Sequence, residues 1–143
     1  GTVLSCEQVD DVQAVGGRII ISPNVNPDVI RHAKAKGLYC VPGFYTVSEA
    51  FSAIEAGADG IKLFPADTLG AAGLKGMMAV LPKDVPVLPV GGVSNETMSG
   101  FVDVGAGGFG SGLYKAGMSV EQVTENAQGY VRACRAALAK NEA

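Results

Sequence analysis

Four short apolar runs rich in Val and Ile, and a fifth rich in Gly, punctuate this chain, and each closes on Gly or Pro. They are Arg18-Ile19-Ile20-Ile21-Ser22-Pro23, Leu38-Tyr39-Cys40-Val41-Pro42-Gly43, Gly60-Ile61-Lys62-Leu63-Phe64-Pro65, Val85-Pro86-Val87-Leu88-Pro89-Val90-Gly91-Gly92 and Gly107-Gly108-Phe109-Gly110-Ser111-Gly112. Each is too short for a helix, and near-continuous hydrophobicity is what a parallel strand covered on both faces requires. Between the runs lie helical patterns with readable ends. Asn26-Pro27 supplies an N-cap and a first-turn proline, with Val29, Ile30 and Ala33 at helical spacing up to Gly37. Thr46 and Glu49 have capping-box spacing, followed by Ala50, Phe51, Ile54 and a stop at Gly57. Ser94-Asn95-Glu96-Thr97 opens a further helix that closes near Gly105. Ser119-Val120-Glu121-Gln122 opens the last, through Val123, Ala127, Val131 and Ala137. The order strand, helix, strand, helix makes this an α/β chain with a parallel sheet.

The runs begin near residues 19, 38, 60, 87 and 107, so the unit recurs about every 19 to 27 residues. Such a unit fits a (β/α) barrel better than a flat sheet, though five strands also suit a doubly wound fold. Gly1-Thr2-Val3-Leu4 reads as the tail of a strand, Glu7 to Val15 as helical, and no initiator Met is present. Counting Val3 as one strand end gives six βα units, against the eight of a closed barrel. The expectation is one partial (β/α)8-barrel domain over residues 1–143, with its N-terminal units missing. No linker or low-complexity tract divides it.

Composition narrows the partners. Hydrophobic residues are 48% of the 143 and charged ones 17%, enough apolar material for a core and the opposite of a disordered chain. Eleven basic against fourteen acidic residues give −3, so there is no basic face for nucleic acid. The apolar runs break too often for a membrane span or signal peptide, so no membrane partner is expected. Cys6, Cys40 and Cys134 are odd in number and widely spaced, which points to small buried residues in a reduced, cytoplasmic setting. The single His32 excludes any site needing two histidines, and no metal is expected. Beside Arg31 and Lys34 it reads as a solvated surface residue, and Met77-Met78 as helix-face packing.

Lys62 is the most informative residue for chemistry. Alternation puts Ile61 and Leu63 on one face of its strand and Lys62 on the other. Either it points into the barrel, where burial lowers its pKa and frees an amine to attack a carbonyl, or it snorkels from a strand end to solvent. Gly91-Gly92 before Ser94, and Gly110-Ser111 in the final Gly-rich run, offer bare backbone amides for an anion. Either turn alone reads as structural; together, after the last two strands, they favour phosphate. Pro23 and Pro42-Gly43 also fall at strand C-terminal ends. Thr2 either offers a hydroxyl from the same rim or is a frayed end.

These residues carry a resemblance. Gly1-Thr2-Val3-Leu4, Ser22-Pro23-Asn24, Val41-Pro42-Gly43, Thr46 with Glu49-Ala50, Gly60-Ile61-Lys62-Leu63-Phe64-Pro65 and Val90-Gly91-Gly92-Val93 occur in this order in the 2-keto-3-deoxy-6-phosphogluconate and -galactonate aldolases. Ser111 to Gly117 looks more like the galactonate branch. The resemblance implies a (β/α)8 barrel that reversibly cleaves a 2-keto-3-deoxy-6-phospho sugar acid to pyruvate and glyceraldehyde 3-phosphate. It further implies a Schiff-base lysine at Lys62, a pyruvate contact at Thr2, and pocket walls at Pro23 and Phe64. The phosphate turns are implied at Gly91, Gly92, Gly110 and Ser111, with no cofactor and a homotrimer. The family's acid/base glutamate and carboxylate-binding arginine lie on first strands that this chain lacks. Asp67 follows the lysine strand without matching either. The competing readings are another phosphate-binding barrel, an isomerase or thiamin-phosphate synthase in which Lys62 pairs with phosphate, and a non-enzymatic sugar-phosphate-binding remnant.

Overall fold

A computed structural model of the chain describes residues 1–105 and 113–141. The backbone forms two compact units, Gly1–Phe64 with Leu81–Leu88, and Pro65–Val80 with Pro89–Ala143.

The first unit begins with α1 (Cys6–Ala14), capped by Ser5, whose hydroxyl accepts from the Gln8 amide at 3.3 Å. β1 (Ile19–Ile21) leads to α2 (Pro27–Ala35), where Asn26 Oδ1 accepts from the amides of Asp28 and Val29 as the sequence predicts. β2 (Tyr39–Val41) and β3 (Gly43–Phe44) precede α3 (Val47–Glu55), and β4 (Ile61–Leu63) follows. The capping box at α3 is present. Thr46 Oγ1 accepts from the Glu49 amide, and Glu49 Oε2 accepts from the amides of Tyr45 and Thr46, each at 2.9 Å. Those donors, Tyr45 first, hold the Glu49 carboxyl below its ordinary value.

The strands join in chain order. The Val3 amide donates to Ile21 O, although residues 1–4 form no strand of their own. β1 pairs with β2 in parallel, Ile19 opposite Tyr39, and β3 pairs with β4 in parallel, Gly43 opposite Lys62. β5 (Val87–Pro89) lies beside β4. The run Leu38–Gly43, expected as one strand, is therefore two. Pro42 has no amide to donate, so the ladder to β1 stops there, while its carbonyl accepts from the Lys62 amide at 2.8 Å. The strands are also less covered at their starts than expected. Ile19 is 50% exposed and Tyr39 62%, whereas Ile20, Cys40, Ile61 and Leu63 are fully buried.

Ion pairs tie the elements of this unit together. His32 Nε2 and Lys36 Nζ lie 2.9 and 3.0 Å from Asp10 Oδ1 and link α2 to α1, so His32 is half-buried rather than solvated. His32 and Lys36 lower the Asp10 pKa. Lys34 Nζ donates to both oxygens of Asp59 at 2.6 and 2.7 Å, and Asp59 Oδ2 also accepts from the Cys40 amide at 2.8 Å. Burial, with the Asp59 charge behind it, pushes the Cys40 thiol up to about 11, which leaves it inert. Cys6 and Cys134 are only half-buried. Replacing Asp59 with Ala removes the acceptor of the Cys40 amide and the carboxylate partner of Lys34, which keeps its bond to Leu38 O, and is expected to cost about 1–3 kcal/mol of stability. Asp59→Asn, which keeps an acceptor for Cys40, is expected to lose about half of that. Urea unfolding of the two variants checks the order.

The second unit holds α4 (Ala66–Met78), α5 (Met98–Asp103) and α6 (Val120–Asn141). α4 is kinked at Gly70, with φ 68 and ψ 171. α5 opens later than Ser94 predicts. Ser94 turns its hydroxyl to Glu96 Oε2 and takes Thr97 Oγ1 on its amide, and the first helical residue is Met98, whose amide donates to Ser94 O. Met98, Phe101 and Val102 are buried and α5 packs on α6. α6 starts on a reciprocal pair, Ser119 Oγ with the Gln122 amide and Gln122 Oε1 with the Ser119 amide. Tyr130 Oη anchors it by donating to Val93 O at 3.0 Å. The strand expected at 107–112 lies outside the described residues. Among the described residues no helix is long and apolar enough to cross a membrane.

Candidate active site

Lys62 occupies the centre of β4, where the burial pattern follows the strand period. Ile61 and Leu63 are fully buried, and Lys62 projects to the opposite face, half-exposed. Its backbone is fixed by the bond to Pro42 O, and the following Phe64 amide donates to Phe44 O at 3.1 Å. The Phe64 ring, 38% exposed, sits under the ammonium with Nζ 4.6 Å from the ring centroid. Among the described residues Nζ has no ion-pair partner. Desolvation pushes its pKa below the ordinary lysine value, which raises the share of neutral amine.

The neighbouring strand ends supply the rest of this site. Gly43, the register partner of Lys62, lies so close to Pro23 that a Cβ there would strike the Pro23 carbonyl. Pro23 follows β1 in a turn held by Ser22, whose buried hydroxyl donates to Asn24 O at 3.0 Å and whose amide donates to Val41 O. Thr2 is exposed, one residue before the Val3 amide that joins β1. The structure thus brings Pro23, Gly43, Lys62 and Phe64 together at neighbouring strand ends and sets Thr2 beside β1. Ser22 is a residue whose part the sequence does not reveal, because a serine before proline looks like any turn.

In the second unit Gly91 and Gly92 form a turn with φ of +100 and +65, a region open to glycine at little cost. A Cβ on Gly92 would lie 2.5 Å from Asp67 Cβ and Oδ2, and one on Gly91 would lie 3.3 Å from Pro65 Cα. The carbonyls of Val90 and Gly91 accept from the amides of Ala66 and Asp67 at 2.9 and 3.1 Å. Beside this turn is a cavity of about 420 Å³ whose wall includes Asp67, Gly92, Glu96, Thr97 and Gly100. Gly110 and Ser111, the other expected phosphate turn, lie outside the described residues. No group of three or more metal-ligating side chains occurs among the described residues.

An amine on a strand, partly desolvated and with no ion-pair partner among the described residues, is suited to attack a carbonyl. A double-glycine turn, which lets backbone amides approach closely, is suited to an oxyanion. Over 140 residues the chain is 44% identical to the 2-dehydro-3-deoxy-6-phosphogalactonate aldolase of Escherichia coli (strain K12), covering 96% of this chain and 68% of that protein. It is 46% identical over 129 residues to a probable 2-dehydro-3-deoxy-6-phosphogalactonate aldolase of Rhizobium meliloti (strain 1021), covering 89% of this chain and 61% of that one. The chain therefore spans roughly two thirds of the length of these relatives. A solved native KDPGal structure superimposes with a TM-score of 0.93 at 44% identity, over 96% of this chain and 68% of its own. The family model for KDPG and KHG aldolases matches residues 1–128, and with that match the chain belongs to the KDPG and KHG aldolase family.

Proposed function

We propose that this protein is a class I aldolase that cleaves 2-dehydro-3-deoxy-6-phosphogalactonate, or its gluconate epimer, reversibly to pyruvate and D-glyceraldehyde 3-phosphate. The placement of Lys62 carries this reading: a desolvated amine between two fully buried strand residues, with Phe64 beneath it. Neutral Nζ adds to the C2 carbonyl, and the carbinolamine oxygen takes a proton from solvent and leaves as water, giving an iminium. As the C4 hydroxyl passes its proton to a solvent water, the C3–C4 bond breaks, and its electron pair passes into the iminium to form an enamine. Glyceraldehyde 3-phosphate departs. The enamine takes a proton at C3, and water hydrolyses the resulting iminium to release pyruvate and Lys62. The lysine nitrogen is the electron sink, so no cofactor enters the sequence of steps. Thr2 is assigned to the pyruvate portion, Pro23 and Phe64 to the pocket wall, and Gly91, Gly92, Gly110 and Ser111 to the phosphate.

We assign the chain to a (β/α) barrel, because among the described residues the strands of each sheet stand in chain order, β1 beside β2 and β3 beside β4 beside β5. The family resemblance supports a homotrimer, which light scattering checks, and the odd, widely spaced cysteines support a cytoplasmic setting. Release of pyruvate from the phosphorylated substrate, followed with lactate dehydrogenase, tests the reaction. An absence of pyruvate at any substrate concentration contradicts it.

The lowered Lys62 pKa gives a pH prediction. Only the neutral amine attacks, so the rate of imine formation with pyruvate rises with pH and levels off below lysine's ordinary 10.5. Between the lowered value and 10.5 the unfolded chain binds more protons than the folded one, so folding stability also rises with pH across that window. Borohydride trapping across a pH series reads the first, and urea unfolding across the same series reads the second.

A further inference from the structure

We infer that Asp67 is a positioning residue for the phosphate turn: it aims the amides of Gly91 and Gly92 without touching the ligand itself. The inference rests on the reading of that turn as the phosphate site. Its geometry comes from the start of α4. Pro65 stands at the N-cap and offers no side-chain oxygen, so the first amides of the helix must find acceptors elsewhere. The Ala66 amide donates to Val90 O and the Asp67 amide donates to Gly91 O. The Thr68 amide donates to the Asp67 carboxylate, Oδ1, at 3.0 Å. Thr68 Oγ1 closes the turn on Pro65 O at 3.0 Å. All three leading amides of α4 are therefore occupied within the protein, and this helix end is not the anion site.

What the helix end does instead is orient its neighbour. A trans peptide is planar, with its N–H opposed to its C=O. Val90 O and Gly91 O both point at α4, so the N–H groups of Gly91 and Gly92 both point away from it. Two successive amides held on one side make an anion-binding concavity. The side chain of Asp67 fixes the distance. It packs so closely on Gly92 that no Cβ fits between them, and its Oδ1 bond to Thr68 keeps it in that rotamer. Asp67 also accounts for the glycine at 92 sterically, in addition to the positive φ.

The charge of Asp67 is incidental to this role, and the shape and acceptor are what matter. Asp67→Ala removes both, so the Thr68 amide loses this acceptor and the turn is free to shift. Asp67→Asn keeps an oxygen for Thr68 and the same volume. The expected result for Asp67→Ala is a rise of about tenfold in KM for the 6-phosphorylated keto acid, the equivalent of one misaimed hydrogen bond, with kcat changed far less. Borohydride trapping of pyruvate at Lys62, which needs no phosphate contact, is expected to keep its wild-type rate. Asp67→Asn is expected to restore KM to within about twofold of wild type, since no hydrogen bond is lost. The same two variants are titrated with inorganic phosphate as a competitive inhibitor, where Asp67→Ala should weaken inhibition by the same factor as it raises KM. An unchanged KM in Asp67→Ala, an equal loss in the trapping assay, or a failure of Asn to rescue would overturn the inference. The underlying reading fails separately: if wild type handles the unphosphorylated keto acid as well as the phosphorylated one, the turn is not a phosphate site at all.

Discussion

Lys62→Arg will form no borohydride-trappable adduct with pyruvate and will lose the retro-aldol reaction by roughly 10⁴-fold or more, the scale on which an essential nucleophile is lost. Arginine reaches about as far from the strand as lysine and carries the same charge, so it separates nucleophilicity from electrostatics. Its guanidinium stays protonated in proteins and cannot add to a carbonyl. The backbone of β4 is held by Pro42 O and Phe44 O rather than by the lysine side chain, so the far-ultraviolet circular dichroism of the variant should match wild type. If Lys62 served only to pair with phosphate, arginine would be a competent substitute. Full activity in the variant would therefore favour an isomerase-like or phosphate-pairing role.

Gly92→Val carries the second large effect. At φ +65 a β-branched residue is strained, at a cost of about 1–3 kcal/mol, and its Cβ would also meet Asp67 Cβ at 2.5 Å. The turn must move, and its amides move with it. KM for the phosphorylated substrate should rise by about 100-fold, since two amide contacts of about tenfold each are misaimed. Pyruvate trapping at Lys62 should suffer far less. Gly37→Ala supplies the control for backbone strain. Gly37 has φ +71, and a Cβ added there would meet nothing within 4 Å, so alanine is strained without a clash and lies far from the turn in sequence. Comparable losses of phosphate affinity in both variants would show that the effect is one of folding.

Much of this is legible in the residues because the signals are local. Asn26-Pro27, Thr46 with Glu49, and Ser119 with Gln122 cap the helices they predict, since a cap needs only the backbone of its own first turn. The alternation Ile61-Lys62-Leu63 gives the face of the lysine correctly, because strand period is a property of the backbone. Legibility ends where local groups compete or partners are non-local. Ser94 looks like a cap, but its near neighbours Glu96 and Thr97 compete for it and postpone α5 to Met98. His32 looks solvated among charges on its own helix, yet Asp10 of α1 takes it. Asp67 looks idle in sequence. Its part depends on Gly92, 25 positions away, and no spacing rule connects the two.

The whole mechanism depends on Lys62 forming a carbon–nitrogen double bond to a 2-keto acid. Incubating the protein with pyruvate, reducing with borohydride, and weighing the intact chain and its proteolytic peptides measures this directly. One adduct per chain is expected, with the mass of pyruvate less one water plus two hydrogens, on the peptide that contains Lys62 and absent when pyruvate is omitted. An unmodified chain, or an adduct spread over surface lysines such as Lys75 and Lys83 with none at Lys62, would contradict it.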